Sequence, residues 1–188
     1  RHLVLVTLGT GVGGGIIIDG RLYLGASGAA GEIGHMTVAD GPPCGCGNTG
    51  CLEMQASGTA VERETVARLR AGGPSLLADR IDGDYGSLTA EMVAGAAEAG
   101  DLLAASVLER AAHYLGVGLV NLVNIFNPEV IVIGGGMAAL DHVFIEPARR
   151  LVNERAFGIS ARAVRIVKAA LGNNAGAIGA AAYVRDHV

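Results

Sequence analysis

Large side chains are scarce in this sequence, which has no tryptophan, three phenylalanines and four tyrosines among 188 residues. A core without aromatic bulk must be aliphatic, and thirty glycines with thirty-one alanines make its packing close. Long apolar runs are missing too. No stretch reaches the roughly eighteen residues of a spanning helix, and no basic segment leads into an apolar one at the N-terminus, so a cytoplasmic protein without a membrane partner is expected. Nor is there a surplus of positive charge. Fourteen Lys plus Arg against eighteen Asp plus Glu give a net charge of −4, with no basic stripe to neutralise a nucleic-acid backbone, which argues against direct nucleic-acid binding. At 51% hydrophobic and 17% charged, the chain is neither disordered nor collagen-like and fits one globular domain or two small lobes. It opens on Arg1-His2 and enters a strand-like run at once, the pattern of a chain cut from something longer.

Leu3–Leu8 is a nearly continuous apolar run bounded by Gly9-Thr10-Gly11, which suits a strand buried on both faces. A second run, Gly15–Ile18, meets Arg21–Leu24 across Asp19-Gly20, a strong hairpin signal. A helical pattern runs from Cys51 to Ala71 with a break at Ser57-Gly58, and residues 72–86 read as a polar excursion. Thr89 is placed to cap a short Ala-rich helix. Asp101 is placed to cap a long one, with apolar residues at Leu103, Val107, Ala111, Leu115, Leu119, Leu122 and Phe126, ending before Asn127-Pro128. Glu129–Ile133 is a strand, Gly134–Gly136 a turn, Asp141–Ala156 a helix, Arg165–Ala169 a strand and Asn174–His187 a final helix. The order implies a mixed α/β fold whose last part needs a crossover connection.

Fourteen of the thirty glycines fall between Gly9 and Gly50, where the backbone must turn sharply or approach something closely. Gly9-Thr10-Gly11-Val12-Gly13-Gly14 fits G-x-G-x-x-G, but a dinucleotide fingerprint needs a helix after its glycines, and β-branched Ile16-Ile17-Ile18 follows here. The segment is a glycine-rich turn between strands. It is either a tight hairpin only or an anion-binding nest with Thr10 as hydroxyl donor. Gly134-Gly135-Gly136 is either a strand-to-helix connection or a second place of close ligand approach, at a strand's C-terminal end.

All three cysteines lie within eight positions, Cys44 to Cys51, and an odd count in a chain of this type points to metal or reactive thiols rather than a disulfide framework. Glycines at 45, 47 and 50 let the thiolates converge, and His35 is the nearest candidate for the fourth ligand of a tetrahedral Cys3His structural zinc site; the alternative is three reduced bystander cysteines. Glu32 and Glu53 flank this cluster. A histidine bound to metal through one ring nitrogen keeps the other for a hydroxyl, so two acceptors and a donor suit a polyhydroxylated ligand. The alternatives are solvated carboxylates and, for Glu53, a helix first turn. His2, His113, His142 and His187 have no such neighbours.

Glu32-Ile33-Gly34-His35, Cys44-x-Cys46-Gly47-x-x-Gly50-Cys51-x-Glu53 and Leu8-Gly9-Thr10-Gly11-Val12-Gly13-Gly14-Gly15 together resemble the ROK family of bacterial sugar kinases and sugar-responsive repressors, and most of all its ATP-dependent glucokinases. The resemblance covers nearly the whole chain. It implies an actin-like, ribonuclease H-like α/β fold with a mixed sheet, helices and a zinc-stapled loop. Residues 1–188 would form the C-terminal lobe, with 175–188 a last helix packing toward an N-terminal lobe. His35, Cys44, Cys46 and Cys51 would hold structural zinc, and Glu32, His35 and Glu53 would contact sugar hydroxyls. Thr10 and Gly11 would belong to a phosphate loop, and Gly134, Gly135 and Gly136 to an adenosine loop for Mg-ATP. The family's Asp-x-Gly-Gly-Thr motif and its Asn-Asp pair carrying the general base are absent, and Asp19, in a hairpin turn, is no substitute. The chain alone is therefore expected not to turn over. Three roles remain in view: part of a glucokinase forming homodimers or homotetramers, the sugar-sensing lobe of a repressor, and a zinc-stapled interaction module.

Overall fold

The computed structural model describes residues 1–187. Its framework is a five-stranded sheet of order β3-β2-β1-β4-β5. The strands are β1 (Leu3–Leu8), β2 (Val12–Ile18), β3 (Arg21–Leu22), β4 (Val130–Gly134) and β5 (Arg165–Lys168). Hairpin turns make β1-β2 and β2-β3 antiparallel, whereas β4 joins β1 in parallel, Leu3 opposite Val130 and Thr7 opposite Gly134, and β5 joins β4 in parallel. Asp19 and Gly20 both take positive φ, 53° and 80°, as a two-residue primed turn requires.

Alternation along the strands separates two sheet faces. Val4, Val6, Leu8, Ile131 and Ile133 point to one face and are at most 1% exposed. They share a core with α5 (Leu102–Phe126) and α6 (Glu146–Arg155). The capping expectations hold. Asp101 accepts from Ala104 N–H at the start of α5, Asn127 ends it in the left-handed region with φ 43°, and Thr89 accepts from Met92 N–H to cap α4 (Ala90–Glu98). The helical stretch after Cys51 divides at Ser57 into α1 (Leu52–Ala56) and α2 (Gly58–Arg70), and Ser57 accepts from Ala60 N–H.

Four local readings are revised. β2 begins at Val12, so Gly13 and Gly14 lie in the strand rather than the turn; a Cβ on Gly14 would come within 2.5 Å of Ile33 and 2.6 Å of the Gly31 carbonyl, so closeness demands the glycine. The polar excursion contains α3 (Leu76–Ile81), which buries Leu77 and Ile81. The segment before α6 is a π-helical turn, Asp141–Ile145, and α7 (Gly158–Ala163) precedes β5. The last helix, α8, spans Ala175–His187.

Candidate functional site

The first feature is the metal-ligating set. Pro43 bridges Thr49 and Thr37 bridges Cys51, closing residues 37–51 into a compact loop in which Cys44 N–H donates to the Asn48 carbonyl at 2.7 Å. One ligand atom each from His35, Cys44, Cys46 and Cys51 falls within 4.8 Å of all the others. Cys44 Sγ lies 3.6 Å from His35 Nδ1, and Cys46 Sγ 3.7 Å from Cys51 Sγ. Ligands on a zinc tetrahedron, with Zn–S about 2.3 Å and Zn–N about 2.0 Å, sit roughly 3.5–3.8 Å apart, so the residues present fit that ion. Backbone N–H donation at Asn48, stronger than the opposing burial, holds the Cys46 thiol below its ordinary range, whereas burial foremost pushes Cys51 up to about 12. Cys51 would hold zinc as the thiolate, giving up its proton on binding.

His35 commits Nδ1 to the cluster and turns Nε2 outward, 3.8 Å from Glu32 Oε2. Glu32 is largely exposed and His35 about one third exposed, so a ring donor and a carboxylate acceptor face solvent side by side. Glu53 sits elsewhere on the rim. It lies in the first turn of α1, and its Oε2 accepts the Val12 N–H at 2.9 Å. That hydrogen bond to the hairpin was not legible in the sequence, because forty-one residues separate the partners.

The second feature follows from strand direction. Because β1 and β4 run parallel, their C-terminal loops emerge side by side. Gly135, at φ 85°, packs so tightly on the hairpin base that a Cβ would stand 2.1 Å from the Leu8 carbonyl oxygen. In the hairpin, Gly9 N–H donates to Gly11 O and Gly9 O accepts from Gly58 N–H at the start of α2. Among the described residues, Thr10 N–H and Gly11 N–H have no protein acceptor, as in an anion-binding nest. A crevice of about 290 Å³ lies here, lined by Gly9, Thr10, Thr59, Glu62, Glu91 and Gly136 among others. Thr59, Glu62 and Glu91 were missed by sequence reasoning; the available signals were the Ser57-Gly58 break at the start of α2 and the Thr89 cap at the start of α4. Gly134 opens on a neighbouring cavity of about 340 Å³, with Thr7, Gly135 and Lys168. The structure thus places Thr10 and Gly136 on one crevice, Gly134 and Gly135 on the neighbouring cavity, Gly11 against Glu53, and Glu32 beside His35. Glu53 is the piece that touches both the metal loop and the hairpin.

The ROK family model matches residues 1–187. The glucokinase of Halalkalibacterium halodurans is 43% identical over 188 residues, 99% of this chain and 57% of that protein. A putative xylose repressor of Caldicellulosiruptor sp. is 37% identical over 190 residues, 97% of this chain and 46% of that protein. Among solved structures, a ROK glucokinase from Streptomyces griseus in complex with glucose and AMPPNP superposes with a TM-score of 0.85 at 35% identity, covering 98% of this chain and 61% of that one. The chain therefore spans about half to three fifths of the length of these relatives.

Proposed function

This chain belongs to the ROK family, and from that premise we propose that it is the C-terminal lobe of a glucokinase, residues 1–188, transferring the γ-phosphoryl of Mg-ATP to the 6-hydroxyl of glucose. The observation that carries the reading is that Gly9 and Thr10 of the hairpin and Gly136 of the second glycine loop line one crevice, with Gly135 packed on the hairpin base at Leu8. A sugar sensor has no need of such a crevice. Phosphate oxygens would meet the free N–H groups of Thr10 and Gly11 and the Thr10 hydroxyl, while Glu62 and Glu91 suit ribose hydroxyls. Glu32, His35 Nε2 and the second oxygen of Glu53 would accept from and donate to sugar hydroxyls, fixing the acceptor's orientation. Zinc held by His35, Cys44, Cys46 and Cys51 would supply rigidity to the loop rather than chemistry. The general base is assigned to the N-terminal lobe, and water exclusion to closure of the two lobes. A homodimer or homotetramer is the proposed assembly.

A fusion of this chain to the part of Halalkalibacterium halodurans glucokinase that it does not match tests the reading. Coupled ADP release is expected with glucose, and absence of turnover with glucose, mannose, fructose and N-acetylhexosamines would overturn it. The second reading, a sugar-sensing lobe of a repressor, is favoured by the xylose-repressor match over 97% of the chain. It predicts sugar binding by the fusion without ADP release.

A further inference from the structure

We propose that Glu53 is a positioning residue that couples the metal loop to the glycine hairpin by gripping the Val12 peptide, so that metal occupancy sets the order of the anion-binding turn. The inference rests on the glucokinase reading only for the meaning of that turn. Its structural content stands on geometry alone.

Val12 is held from both sides by residues adjoining metal ligands. On one side Glu53, two residues after Cys51, accepts the Val12 N–H through Oε2 at 2.9 Å. On the other side Gly34, next to His35, lies so close that a Cβ there would stand 2.0 Å from the Val12 carbonyl oxygen. The same carboxylate closes over Gly11, where a Cβ would come within 2.4 Å of Oε2. Behind Glu53, Cys51 and Leu52 are at most 1% exposed, and Leu52 N–H donates to the Met36 carbonyl at 2.8 Å. A shift of His35 or Cys51 on metal loss therefore reaches Val12 through two short, rigid paths. The acceptor is a carboxylate and the donor a backbone amide, a charge-assisted pair stronger than an ordinary hydrogen bond. The sequence offered Glu53 as an acceptor for a hydroxylated ligand or as a helix first-turn carboxylate; the geometry also commits one of its oxygens to the hairpin.

Residue-resolved amide hydrogen exchange on the 188-residue chain tests this without any sugar, nucleotide or turnover. Zinc-loaded protein is compared with chelated protein and with Glu53→Ala, Glu53→Gln and Gly11→Ala. Glu53→Ala is expected to speed exchange at Val12 by roughly tenfold or more, with the α5 amides unchanged, and Glu53→Gln, which keeps an oxygen acceptor, to restore part of the protection. Gly11→Ala, which drives a methyl into the carboxylate, should release Val12 while the zinc content stays at one per chain. Chelation should release Val12 together with residues 35–51. Protection at Val12 that survives Glu53→Ala, or chelation that loosens residues 35–51 and leaves Val12 protected, overturns the coupling. Neither outcome would bear on whether the fused enzyme phosphorylates glucose.

Discussion

At the scale of single residues, Asp101 shows how one buried side chain joins two helices. It accepts from Ser75 Oγ at 2.5 Å, Leu76 N–H at 2.6 Å and Ala104 N–H at 2.9 Å, and so ties the start of α3 to the start of α5. Burial alone would raise its pKa, but the hydrogen bonds from Ser75 and from the backbone of Ala104, Leu76 and Leu103 outweigh it and hold the carboxyl below its ordinary value. A depressed folded pKa stabilises above the unfolded value, about 3.9, and the contribution is lost as pH falls through the folded one. Asp101→Ala is expected to cost about 2 kcal/mol near neutral pH. The gap between wild-type and variant denaturation midpoints should narrow as pH falls from about 4 through the folded value; a gap that widens there would refute the assignment. Cys46 makes a second case. It is the exposed member of the metal set, so Cys46→Ser removes a ligand without opening the core. Loss of zinc by elemental analysis and a lower Tm are expected, and loss of zinc with an unchanged Tm would contradict a structural role.

At the scale of elements, α5 organises the metal loop as well as the core. Gly118 on its buried face lets Leu52 close in, and a Cβ there would stand 2.8 Å from Leu52 Cδ2. Leu52 lies between the ligand Cys51 and the clamp Glu53. Gly118→Val is therefore expected to cost about 1–3 kcal/mol by overpacking and, unlike an ordinary core substitution, to weaken zinc retention in a chelator competition. Unaltered zinc retention at the lower stability would show that α5 does not brace the loop. How far these elements were legible depends on the range of the cause. Asp19-Gly20, the α5 stripe and its caps, and the clustered cysteines are local signals, and each has its counterpart in the structure. The helices α3 and α7 span six residues each, too few for a period to emerge. Gly14 of β2 read as a turn residue because its reason, contact with Gly31 and Ile33, is tertiary. So are the Glu53–Val12 bond and the contribution of Thr59 and Glu62 to the crevice, which depend on where α1 and α2 settle.

At the scale of the whole molecule, the two sheet faces are treated unequally. The face bearing Val4, Val6, Ile131 and Ile133 is sealed by helices, whereas Leu3, Leu5 and Val132 on the other face border an open, mostly apolar cavity with Ala169 and Ala175. Val167 is 37% exposed, and Ile178 and Val184 of α8 are 46% and 56% exposed. A sheet with parallel strands at its centre is expected to be covered on both sides, and this chain spans 57% of the glucokinase it matches. We assign the missing cover to the N-terminal lobe, with α8 as the element that reaches it. The spare apolar surface of α5 lies at its two ends, Leu102 and Ile125. The 188-residue chain is accordingly expected to show no ADP release with glucose and Mg-ATP, however well it retains zinc. In the fusion that restores turnover, amides of β5 and α8 should exchange more slowly than in the chain alone. Robust turnover by the isolated chain would place the base within these 188 residues and remove the need for a second lobe. Turnover by the fusion with β5 and α8 exchanging as fast as before would mean that the lobes meet elsewhere, and that the bare sheet face serves another partner.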